Sequence, residues 1–151
     1  MYSSVTSQSM VMTSGGGASC ATSAEVRPKL LVVDDLPAIR DVIATGLRYS
    51  GFDACCASGG DEARALVAID PPALVITDLN MPSGDGWGLI DFCRAHYPQL
   101  PVLIVSGLPP GTHPEIESFA DGYLAKPFDF RELLAEVARL VPAGSGLWKV
   151  G

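Results

Sequence analysis

The chain is short of positive charge. Lysine and arginine together number ten against seventeen aspartates and glutamates, for a formal net charge of -7. No basic run occurs, which argues against a nucleic-acid-binding surface. Charged residues make up only 18% of the chain, below the share of about 25% usual in soluble domains. No apolar run approaches the length that crosses a bilayer. The amino terminus has no charged leader followed by an apolar core. Neither a membrane span nor secretion is supported, so the expectation is a cytoplasmic protein, or a cytoplasmic piece of one. Cysteine supplies no metal motif: Cys20, Cys55, Cys56 and Cys93 fit no zinc spacing. Free thiols in a reducing compartment are expected, with the adjacent Cys55 and Cys56 on opposite sides of a strand. The two histidines, His96 and His113, read as a surface helix residue and a loop residue.

What is present is enough for one domain with a substantial core: 151 residues, 48% of them apolar. Residues 1–28 are rich in Ser, Thr and Gly, with GGG at 15–17, and read as a flexible tail or linker. Order is expected over residues 29–141, followed by a short tail at 142–151. Within the ordered part, short apolar runs alternate with helical patterns. Strands are expected at Leu30–Val33, Phe52–Ala57, Ala73–Thr77, Val102–Val105 and Tyr123–Ala125. Helices are expected at 36–50, with Leu36, Ile39, Ile43 and Leu47 as its apolar stripe, and at Glu62–Ile69, Trp87–Tyr97 and Phe130–Leu140. Gly51 is placed to end the first helix, and SGGD at 58–61 reads as a turn. A short helix from about Pro114 to Ala120 is admitted, Pro114 standing near its first position. The fold class is therefore α/β: a five-stranded parallel sheet, doubly wound as (βα)5, with helices on both faces.

In such sheets sites form at the carboxyl ends of the strands. The stretch LVVDD at 31–35 puts two like charges there, and their repulsion needs an offset from solvent or a cation. Asp34 and Asp35 follow strand one, Asp78 follows strand three in VITDLNMP, Ser106 follows strand four in VLIVSG, and Lys126 follows strand five in YLAKPF. Taken singly, each has a bland reading. An aspartate after a strand is usually a turn residue or helix cap, a serine before glycine makes a turn, and a lysine before proline is a solvated loop residue. Their convergence on one edge raises the functional reading. Three carboxylates suit Mg²⁺, a hard cation that takes one or two carboxylates directly and keeps several waters. Lys126 completes the balance, Asp78 is placed to act as a nucleophile toward a phosphoryl group, Ser106 can donate to a phosphoryl oxygen, and Gly107 leaves room beside it.

Over about residues 29–141 the chain closely resembles the receiver domain of bacterial two-component response regulators, a flavodoxin-like fold typified by CheY. The likeness rests on VVDD at 32–35, TDLNMP at 77–82, DG at 85–86, SG at 106–107 and YLAKPF at 123–128, in that order. It implies that Asp78 is the phosphorylated aspartate. Asp34, Asp35, Asp78 and the backbone carbonyl of Asn80 would hold Mg²⁺, for which Mn²⁺ can substitute. Lys126 and Ser106 would engage the phosphoryl group. Tyr123 would be an aromatic switch that moves with Ser106, and Pro127 would follow a cis peptide bond. The partners implied are a histidine kinase or histidine phosphotransfer protein as donor and a downstream protein target, with a weak homodimer admitted and neither nucleic acid nor membrane. Neither histidine reads as a phosphodonor. Phosphorylation would switch a surface formed by the segment after strand four, the last strand and the last helix. That segment departs from the family pattern: it holds Pro109, Pro110, Gly111 and Pro114, and Phe119-Ala120 stands where Gly-Ala is usual. Leu108, two positions past Ser106, is expected to restrict the water that removes the phosphoryl group.

The few residues after 141 suggest a stand-alone receiver or one cut from a longer chain, and PVLIVSG with LAKPF is similar to receivers of hybrid histidine kinases. Three other readings compete. An aspartyl phosphohydrolase would want a second Asp two positions past the nucleophile, where Asn80 stands. A degenerate receiver acting only as a binding module would not need the intact acids, Ser106 and Lys126. A flavodoxin-like carrier would place a flavin phosphate against Asp34 and Asp35, a poor cradle for an anion.

Overall fold

Short apolar runs and amphipathic helices alternate along the chain, and each run becomes a strand that is covered on both faces. The computed structural model describes residues 27–79, 81, 86–108, 111, 114, 118 and 120–141. Among them the elements are β1 (Lys29–Val33), α1 (Pro37–Tyr49), β2 (Asp53–Ala57), α2 (Gly60–Ile69), β3 (Leu74–Thr77), α3 (Gly86–His96), β4 (Val102–Ser106), β5 (Gly122–Ala125) and α4 (Phe130–Leu140). All strand pairs are parallel, in the order β2-β1-β3-β4-β5. The expected five-stranded, doubly wound parallel sheet is what the chain forms. Of the short helix expected at 114–120, only Pro114, Ser118 and Ala120 are described, and the Ser118 N–H donates to Pro114 O at 3.0 Å; His113, Cys20 and Asn80 lie outside the described residues.

The two-residue period of the strands sorts the core into two layers. Leu31, Val33, Val75, Val102 and Ile104 point to one face, against Ala63 and Val67 of α2 and Leu89, Ile90 and Cys93 of α3. Leu30, Val32, Leu74, Ile76, Leu103 and Val105 point to the other, against Ile43, Ala44 and Leu47 of α1 and Leu133 and Val137 of α4. Cys55 packs against the first layer and Cys56 against the second, as the alternation requires. β1, β3 and β4 lie inside the sheet and are buried almost throughout, whereas β5, at an edge, is only half-buried.

Local chemistry sets the helix ends. Pro37 opens α1, and Gly51, at φ +100°, lets the chain leave it. α4 begins with a capping box in which the Asp129 carboxylate accepts the Glu132 N–H and the Glu132 carboxylate accepts the Asp129 N–H. Two expectations need correction. Leu36 is not part of the α1 stripe: it is the N-cap residue and half-exposed, so the buried face is Ile43, Ala44 and Leu47. The 58–61 turn is shorter than expected, because α2 starts at Gly60. Glu62 reaches back to the Ser58 N–H and hydroxyl and closes that turn.

Candidate functional site

Register alone brings the acids together. Val33 pairs with Thr77 across β1 and β3, so the next residue of each strand, Asp34 and Asp78, stand side by side. The ladder continues through both: the Asp34 N–H donates to Ala57 O at 3.2 Å and the Asp78 N–H to Val33 O at 3.1 Å. On the other side Ser106, the last residue of β4, pairs with Ala125. The following residue, Lys126, donates its N–H to Ser106 O at 2.8 Å. Four strand ends thus deliver two acids, a hydroxyl and an amine to one edge, with Asp35 one residue further along.

The side chains converge as well. Asp34, Asp35 and Asp78 each offer a carboxylate oxygen, and the three lie within 4.8 Å of one another. Lys126 Nζ donates to Asp78 Oδ2 at 3.0 Å and to Asp34 Oδ2 at 3.3 Å. Asp34 and Asp78 are almost fully buried, and Ser106 is wholly so. Burial works against the Lys126 ammonium, but the hydrogen bonds and charges of Asp78 and Asp34 outweigh it and raise its pKa above the ordinary lysine value. One ammonium does not balance three carboxylates. Asp34 has both oxygens engaged, Oδ1 by the Leu36 N–H at 3.0 Å and Oδ2 by Lys126. Among the described residues no hydrogen bond or ion pair engages Asp35. A close set of hard oxygen donors, one of them without a partner, fits a Mg²⁺-sized cation.

Around this set Ser106 and Tyr123, the residues expected to act as the switch, both bond to Leu108. Its N–H donates to Ser106 Oγ at 3.2 Å, and its carbonyl accepts from the Tyr123 hydroxyl at 2.7 Å. The Lys126–Pro127 peptide is cis. Gly107 is exposed, and a Cβ there would meet nothing within 4 Å, so no close contact demands a glycine. Asn80, whose carbonyl was expected as a ligand, lies outside the described residues.

Three supporting residues escaped the sequence reading. The Thr77 hydroxyl, fully buried, donates to the Asp78 carbonyl at 2.8 Å. Gly86 packs so tightly that a Cβ would stand 2.2 Å from that same carbonyl oxygen. Arg40 Nη1 donates to the Asp34 carbonyl at 2.9 Å. Only Gly86 had a visible signal, the DG pair just before a helix.

Residues 30–138 match the response regulator receiver domain. The chain belongs to that family. As a receiver domain it is a module of two-component signalling, and aspartate phosphorylation and Mg²⁺ binding are typical of such domains. It is 35% identical over 119 residues to the DNA-binding dual master transcriptional regulator RpaA of Synechocystis, covering 76% of this chain and 49% of that one. Among solved structures it is similar to the Vibrio cholerae chemotaxis protein CheY4, with a TM-score of 0.71 and 29% identity, over 76% of this chain and 99% of that one. It is also similar to the response regulator TrrA of Thermotoga maritima, solved in complex with Mg²⁺-BeF, with a TM-score of 0.70 and 28% identity, over 75% and 98%. The receiver spans about half the length, or less, of the curated relatives it matches. Among the described residues no helix is long and apolar enough to cross a membrane.

Proposed function

We propose that this receiver accepts a phosphoryl group on Asp78. The observation that carries the reading is the cluster itself: three carboxylates with ligand oxygens within 4.8 Å, and Lys126 on the Asp78 carboxylate at 3.0 Å. A carboxylate oxygen of Asp78 attacks phosphorus. The P–N bond to a phosphohistidine breaks, and the imidazole leaves with the electron pair. With acetyl phosphate as donor the P–O bond breaks instead, and acetate leaves. Transfer of this kind rests on placement and charge stabilisation and needs no strong base, in keeping with a site built of acids, a hydroxyl and an amine. Bound Mg²⁺ supplies neutralising charge to the phosphoryl oxygens, and Asp34, Asp35, Asp78 and the Asn80 carbonyl are the groups that would hold it. Lys126 is placed to pair with the phosphoryl group. The Ser106 oxygen accepts from Leu108, which leaves the hydroxyl proton to donate to a phosphoryl oxygen. Water later hydrolyses the acyl phosphate.

The donor in this reading is a histidine kinase or a histidine phosphotransfer protein in the cytoplasm, and the receiver passes the signal on through a protein surface. Supporting a helical donor is the outer side of α1, which begins at the site's edge. Ala38, Val42, Thr45 and Tyr49 form an exposed, uncharged row at alternating spacings of four and three along that helix, the spacing of a helix–helix seam. The test of the site is intact mass after treatment with acetyl phosphate and Mg²⁺. The parent gains one phosphoryl unit and Asp78→Ala gains none. A parent that stays unmodified, or a variant that still labels, overturns the assignment of Asp78.

A further inference from the structure

Arg40 belongs to α1, yet its guanidinium reaches back over the start of the helix. Its Nη1 lies 2.9 Å from the backbone carbonyl oxygen of Asp34, and its side chain is half-buried. That carbonyl has passed the last paired residue of β1, Val33. It belongs to the peptide that joins Asp34 to Asp35.

Every other polar group of Asp34 is already held: its N–H by Ala57, Oδ1 by Leu36, Oδ2 by Lys126. Asp35 has no such support, since among the described residues nothing engages its carboxylate. The aim of Asp35 therefore depends on the plane of the peptide that precedes it, and Arg40 holds the oxygen of that plane. The guanidinium also lies within electrostatic reach of Glu62 and of the Cys56 thiol. Its charge is thus felt by groups of β2 and α2 as well as at the end of β1.

We infer that Arg40 is a positioning residue for the cation site: by fixing the Asp34–Asp35 peptide it aims the Asp35 carboxylate at the metal. The inference rests on the proposed Mg²⁺ site. Groups that orient ligands in this way typically change metal affinity by tenfold or more when removed. Charge and positioning act here with opposite signs. As a nearby cation Arg40 repels Mg²⁺, so a purely electrostatic role predicts tighter binding when it is removed. A positioning role predicts weaker binding.

Isothermal titration of the full chain with Mg²⁺ separates the two. Arg40→Met, which keeps the aliphatic stem and loses the donor, is expected to raise the Mg²⁺ dissociation constant about tenfold. Arg40→Gln is too short to reach the carbonyl and tolerates a half-buried position, so it is expected to weaken binding likewise and decides the matter if Arg40→Met does not fold. Arg40→Lys, which keeps a donor, is expected to recover most of the affinity. An unchanged or lower dissociation constant in the Met and Gln variants, even with a lower melting temperature, overturns the inference. The parent and Asp35→Asn are titrated alongside. A parent that takes up no Mg²⁺ overturns the site reading and this inference with it, whereas normal uptake by the parent and by Arg40→Gln overturns the inference alone.

Discussion

The Lys126 ammonium sits 3.0 Å from Asp78, on the carboxylate where an incoming phosphoryl group would land. It is joined there by Asp34 at 3.3 Å. Lys126 is a counter-charge that a divalent cation bound by these acids would have to share. Removing it should therefore help the metal and harm the transfer. Lys126→Met is expected to bind Mg²⁺ several-fold more tightly, because a competing positive charge is gone. Labelling by acetyl phosphate should be slower by about tenfold or more, because the donor aimed at the developing charge is lost. Calorimetry and timed intact-mass measurements read the two effects separately. Weaker Mg²⁺ binding in this variant would contradict the competition argument.

Ser106 and Tyr123 both bond to the backbone of Leu108, whose N–H donates to the first and whose carbonyl accepts from the second. Tyr123→Phe removes one neutral hydrogen bond and keeps the ring. The expected cost is about 1 kcal/mol, a fall in melting temperature of about 4 °C for a domain of this size. Asp78 labelling should keep its rate, since the phenol does not touch the acid cluster. A slowed reaction would mean that the Tyr123 bond also sets the geometry of Ser106.

Much of this architecture could be read in advance, for a definite reason. β1, β3 and β4 are apolar without interruption because both faces are covered, and each run breaks to a polar residue where the sheet ends. A parallel sheet then lines those breaks up, so Asp34, Asp78, Ser106 and Lys126 could be placed together from four separate stretches. The failures have physical causes too. Leu36 fitted the helical period of α1, but a helix entry turns outward before the period begins. Arg40 carries no local pattern that marks it as a backbone clamp, and neither does Asp121. The Asp121 carboxylate accepts the Val102 N–H at 2.9 Å and pairs with Arg94. That contact joins the entrance of β5 to β4 and α3 across 19 and 27 positions, and no short window of sequence contains it.

Gly86, which the DG pair did mark, yields a paired test. A methyl group at this position would meet the Asp78 carbonyl oxygen at 2.2 Å and Leu79 Cα at 3.0 Å, and both are backbone atoms that yield poorly. Gly86→Ala should cost about 1–3 kcal/mol of stability, the usual range for forced overpacking. It should also weaken Mg²⁺ binding, because the strain falls on Asp78. Gly107→Ala is the control: its Cβ meets open space, so its melting temperature should equal the parent's. Equal melting temperatures for both variants would remove the packing argument.

Cys93 lies on the buried face of α3, and burial pushes its thiol up to about 11. At pH 8 roughly one such thiol in a thousand is ionised, and the thiolate is the reactive form. Cys55 and Cys56 are only half-buried, though burial raises Cys56 as well. In a Cys20→Ser background a colorimetric disulfide reagent at pH 8 should therefore modify Cys55 and Cys56 well before Cys93. Cys93 should react only on addition of denaturant. Peptide mapping of the partly labelled protein identifies the order, and early labelling of Cys93 would show that α3 opens readily.

The exposed row on α1 separates the donor from the chemistry. Val42 is 68% exposed and Tyr49 88% exposed, so neither contributes to the core, and a helix would ordinarily carry charge on such a face. Val42→Glu is a surface change and should alter stability by no more than about 0.5 kcal/mol. Acetyl phosphate needs no docking face, so its labelling of Asp78 should proceed at the parent's rate. Transfer from a phosphohistidine protein does need one. A buried carboxylate at the centre of a helix–helix seam costs at least about 1–3 kcal/mol, so that transfer should slow by about fivefold or more. Measuring both donors on the same variant isolates recognition from reactivity. Equal transfer from the protein donor to parent and variant would move the docking face away from α1.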